Sequence, residues 1–142
     1  MSFVTTSAKI KTILETLEGA GGGLNEVFGY FEFAPQKFPC AMVRMLGASR
    51  EERLDTDNNL LTMAFVVRVL FRSDNDAANE TLKETIIDQV LDKLRTSDNV
   101  DTLDGVVEKF SIESVEPIES SEGDPMTGFD VIVSCAKIKA IG

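Results

Sequence analysis

The segment LLTMAFVVRVLFR (residues 60–72) is the clearest strand signal in the chain. Leu61, Met63, Phe65, Val67, Val69 and Phe71 alternate strictly, the period of a strand that buries one face. The other face carries Leu60, Thr62, Ala64, Val66, Arg68, Leu70 and Arg72, so it is only half polar. At about 3.3 Å per residue this strand runs roughly 40 Å, about twice the usual length. Such a strand either bends at a bulge or carries its end beyond the domain. An apolar second face on a projecting hairpin needs a neighbour.

The flanking segments supply the rest. Upstream, KFPCAMVRMLG (37–47) reads as a strand opening just after Pro39. The charged run ASREERLDTDN (48–58) separates it from 60–72 and predicts a long hairpin loop. EVFGYFEF (26–33) is aromatic-rich and predicts a first strand. Before it, residues 5–18 place Ile10, Ile13, Leu14 and Leu17 on one helical stripe, with Thr6 or Ser7 as cap and Gly19 as terminator. Downstream, residues 73–99 predict a second helix. Ser73, Asp74 and Asn75 can cap it. Leu82, Ile86, Val90 and Leu94 step by four, Ile87 and Leu91 widen the stripe, and Lys93 and Arg95 suit its C-terminal dipole. GVVEKFSIESVEPIES gives a fourth strand with Val106, Phe110 and Ile112 on one face. SEGDPMTG is turn chemistry, and FDVIVSCAKIKA closes with Phe129, Val131, Val133 and Cys135 in phase. The order α-β-β-β-α-β-β predicts an α+β fold, a mostly antiparallel sheet flanked by two helices with a long β-hairpin. The 142 residues suit one domain, and no repeat or linker divides them.

Composition narrows the function classes. The net charge of −10 disfavours phosphate-clamping DNA binding; it reads first as solubility alone, and second as the surface of a protein that DNA slides past. Two cysteines outside any CxxC pair fit a reducing compartment and no disulfide scaffold. The start MSFVTTSAKIK lacks the pattern of a secretory signal, and no apolar run is long enough for a membrane helix. Histidine is absent, which removes Ser-His-Asp, Cys-His and histidine-metal chemistry.

The remaining candidates for chemistry weaken on inspection. Cys135 falls in phase with core residues and reads as a small hydrophobe. Cys40 has Lys37 nearby in sequence but no histidine base, so it also reads as structural. GAGGG follows a helix and precedes a strand, the reverse of a phosphate loop, and no Lys-Ser/Thr follows. An EF-hand fails on position: counted from Asp55, position 6 is Leu60 and position 12 is Val66; counted from Asp74, position 5 is Ala78. The turn near Asp104 leads into the fourth strand. No catalytic, cofactor or metal site is expected. The run containing Arg50, Glu51, Glu52 and Arg53 could make reciprocal ion pairs with another copy, or could be an ordinary solvated loop.

The succession of AKIKTILETL, VFGYFEF, KFPCAMV, a charged hairpin, LTMAFVVRVLF, a helix ending VLDKL, LDGVVEKFSIESVEP and FDVIVSCAKI resembles the tail terminator (tail completion) proteins of long-tailed bacteriophages. The likeness spans nearly the whole chain; FP before a small residue and a strand is its most specific local piece. It implies a virion structural protein and not an enzyme. Such a protein forms a hexameric ring on the tail tube, ends tube polymerisation and offers a surface to the head-side connector, while DNA transits the lumen and no membrane is engaged. Arg50, Glu51, Glu52 and Arg53 then become candidate subunit-interface residues. Two other readings stand beside it: another neck component, such as a head-closure or minor tail protein, and a small cytosolic ligand-binding domain or enzyme.

Overall fold

The computed structural model describes residues 2–18, 23–32, 35, 37–53, 56–72, 77–95, 109–118 and 126–140. Their order is α1 (Ser2–Glu15), β1 (Glu26–Phe28), β2 (Cys40–Arg53), β3 (Asn58–Arg72), α2 (Ala77–Arg95), β4 (Lys109–Ile118) and β5 (Met126–Ala140). This is the α-β-β-β-α-β-β succession that periodicity predicts. The expected helix caps Ser73, Asp74 and Asn75, together with Gly19, Asp55, Asp104 and Val106, lie outside the described residues.

Among the described residues five strands form one sheet in the order β1-β2-β3-β5-β4. All neighbours are antiparallel except β1 and β2, which are parallel through Glu26↔Cys40 and Phe28↔Met42. β3 is central and pairs with β5 along its whole length, Asn58↔Ala140 to Arg72↔Met126. Because β5 lies between them, β3 and β4 point the same way, and α2 lies between them in the chain.

The alternation in 60–72 sets the layers. Leu61, Met63, Phe65, Val67, Val69 and Phe71 are all buried and share one core with Phe129, Val131, Val133 and Cys135 of β5. Both helices pack on this face: α1 through Ile10, Ile13 and Leu14, and α2 through Ile86, Val90 and Leu94, with Leu17, Ile87 and Leu91 half-buried around them. The two helices therefore cover one side of the sheet. The opposite side holds a smaller cluster, in which Cys40, Met42 and Leu70 are packed by Phe28, Phe31, Phe38 and Ile118.

Four boundaries differ from the sequence reading. The helix predicted from residue 5 begins at Ser2, so Thr6 is buried inside it and is not its cap. It ends at Glu15, where Thr16 turns back and its Oγ1 donates to the Ile13 carbonyl at 2.6 Å. The aromatic strand predicted over 26–33 stops at Phe28, because β1 follows β2 only as far as Met42. The charged run is strand and not loop as far as Arg53: Arg50 pairs with Thr62, Glu51 with Leu61, Glu52 with Leu60 and Arg53 with Asn59.

Backbone pairing overrides side-chain polarity there, since a ladder needs only N–H and C=O groups. Register shifts between Met45 and Gly47 and between Ala48 and Arg50 bend the strand. Gly47, at φ 148°, takes a backbone conformation that side chains disfavour. The hairpin is also no isolated two-stranded arm, because β5 accompanies β3 to its end.

Candidate functional site

The four charged residues expected at an interface occupy the outer end of β2. Glu51, Glu52 and Arg53 are exposed. Strand alternation divides them: Glu52 takes the face of Leu60, whereas Glu51 and Arg53 take the face of Leu61 and Asn59. Arg50 stands in register with Thr62. Asn59 Nδ2 donates to Glu51 Oε1 at 3.2 Å across the hairpin. The run is thus a two-sided strand end and not one ionic cluster.

A second polar group stands on the helix-free face of the sheet. Arg68 on β3 lies directly opposite Asp130 on β5. Its Nε donates to Oδ1 at 2.9 Å and its Nη2 to Oδ2 at 3.0 Å, a two-pronged pair. That hydrogen bond with Asp130 raises the Arg68 pKa further, with burial opposing it. The ring centre of Phe31, in the segment after β1, lies 4.7 Å from the guanidinium carbons of both Arg44 and Arg68. Phe28 meets Tyr30 edge-on at 5.6 Å, and Tyr30 is largely exposed. Two cations, one carboxylate and one aromatic ring therefore meet on the face of the sheet that, among the described residues, carries no helix.

The sequence does not announce this group. Alternation places Arg68 on the second face, but only strand order sets Asp130, 62 residues away, beside it. Phe31 reaches the cluster because β1 ends at Phe28 and frees the chain beyond it.

Both thiols are free and buried. Cys40 is fully buried, and burial, followed by the Glu26 carboxylate, pushes its pKa up to about 11, with a backbone hydrogen bond at Leu70 opposing. Burial pushes Cys135 up to about 12. Both are thiols at neutral pH, and nucleophilic work needs a thiolate. Among the described residues no three His, Cys, Asp or Glu side chains converge as a metal set, and no helix is long and apolar enough to cross a membrane. Neither protein-family models nor curated proteins give a match to this chain.

Proposed function

We propose that this chain is the subunit of a tail terminator ring, which caps a phage tail tube and presents a joining surface to the head-side connector. The observation that carries this reading is the long β2–β3 hairpin. β1 leaves β2 at Met42, and the exposed Met45 and Leu46 follow within a few residues. Large apolar side chains along a strand edge favour a protein neighbour over solvent. The charged end of β2 can set the register of that neighbour, since interfacial charges act more on partner choice than on affinity. The net charge of −10 suits a lumen that lets DNA pass without adhering.

The test adds the purified chain to polymerising tail-tube subunits of the same particle and follows tube length and tube ends by electron microscopy. Shortened tubes with one ring at an end support the reading. Tubes that grow to unchanged length with undecorated ends refute it.

A further inference from the structure

The two sides of the sheet carry complementary edges. On one side, among the described residues, β2 from Val43 to Arg53 has no strand on its outer side. On the other, β4 is the last strand in the order. Five large hydrophobics stand exposed among the described residues, and three belong to these two strands: Met45 and Leu46 on β2, and Val115 on β4. Charge divides in the same way. The β2 sequence holds Arg44, Arg50 and Arg53 against Glu51 and Glu52, whereas β4 holds Glu113 and Glu116 against Lys109. Each strand's formal sum is thus one charge from neutral, positive for β2 and negative for β4.

Two residues make the match specific. Arg44 is exposed and stacks on Phe31, and among the described residues it has no carboxylate partner. Glu116 is exposed and likewise has no cationic partner among the described residues. Glu113 differs, because it accepts a hydrogen bond from Ser111 Oγ at 2.8 Å. Arg44 pairs with Val66, and Glu116 with Asp130, which itself faces Arg68. Both side chains therefore project from the helix-free face.

Strand directions agree as well. Through β2, β3, β5 and β4 they alternate, so a β4 laid beside the β2 of another copy continues the antiparallel pattern. With rows in line, Arg44 faces the Ser114 row, and Glu116 is the diagonal neighbour two residues along, about 7–8 Å away and within reach of an arginine.

We propose that a second copy of this chain docks its β4 edge on the β2 edge of the first, with Arg44 paired to Glu116 across the junction. The bulges in β2 and the missing N–H of Pro117 interrupt a continuous ladder, so side chains select the register. The contact is heterologous, and every copy keeps one edge of each kind for the next neighbour. Closure of this series into a ring rests on the terminator reading; the Arg44–Glu116 pair does not.

Self-association of the full chain, measured by sedimentation equilibrium, tests the pair. Arg44→Glu and Glu116→Arg each weaken association by about tenfold or more, and the double swap restores it to within about threefold. Circular dichroism confirms that each variant is folded; Glu116→Arg serves as the safer single variant because Arg44 also holds Phe31. A folded Glu116→Arg variant that associates like the wild type overturns the pair and leaves the ring reading standing. A double swap no better than the single variants does the same. A wild-type chain that stays monomeric at high concentration overturns the pair, and the tube-end experiment then decides the ring reading by itself.

Discussion

Gly128→Ala perturbs a point where β5 lies tight against the backbone of β3. Gly128 pairs with Leu70 on one side and Ile118 on the other. A Cβ built at Gly128 overlaps the Val69 carbonyl oxygen and falls 3.0 Å from its carbon, at the limit that real Cβ contacts essentially never cross. The obstacle is backbone in the central strand, so no side chain can swing away. Relief requires the two strands to part by about 1 Å, which overpacks the sheet by about 1–3 kcal/mol. It also weakens neighbouring ladder hydrogen bonds, each contributing about 1 kcal/mol. The combined loss is about 3 kcal/mol, or about 10 °C in Tm for a domain of this size. Urea unfolding followed by circular dichroism measures it. Gly47→Ala is the control: among the described residues nothing lies within 4 Å of an added Cβ, and its φ of 148° opposes the change, so its loss is about 1 kcal/mol. A Gly128→Ala variant within about 0.5 kcal/mol of the wild type, inside the usual range of an unobstructed substitution, would contradict the close approach.

Asp130→Ala leaves Arg68 without its two-pronged partner on a half-exposed face and lowers stability by about 1–2 kcal/mol, read by the same unfolding curves. Phe31→Ala removes the ring from beneath two guanidinium groups and costs about 1–3 kcal/mol, with packing and cation–π parts combined. Cys40 and Cys135 stay unmodified by an aromatic disulfide reagent in mildly alkaline buffer until the protein is unfolded; rapid labelling of the native protein contradicts their burial. Because folding raises both thiol pKa values from 9.0 to about 11 and about 12, their contribution is complete below the unfolded value. It is lost as the pH climbs from 9.0 through about 11 and about 12, where the unfolded chain ionises first. Unfolding midpoints measured across that alkaline range should fall.

Local periodicity makes much of the fold legible. The strict alternation of 60–72 identifies the central strand and its buried face, and the four-residue step of Ile86, Val90 and Leu94 identifies the helix face that meets it. Both depend on side chains within a few residues of one another. The charged run reads as a loop because polarity suggests one, whereas the β2–β3 ladder continues through Arg53 using backbone groups that carry no sequence signature. The first strand reads too long because aromatic residues favour strands, yet Phe31 instead packs against Arg44 and Arg68 on the open face. The candidate interface run is legible as charge, but its division between two faces becomes visible only once its partners on β3 are known.

The identity of each segment as helix or strand, and the face it turns inward, follow from the 3.6- and 2-residue periods of the backbone, which any local stretch of sequence records. The strand order β1-β2-β3-β5-β4 has no such record and emerges with tertiary folding. That order sets Asp130 beside Arg68, brings Gly128 against the Val69 carbonyl, and leaves Arg44 and Glu116 on opposite edges. Contacts between residues far apart in the chain depend on which strands become neighbours, and no local period encodes that choice.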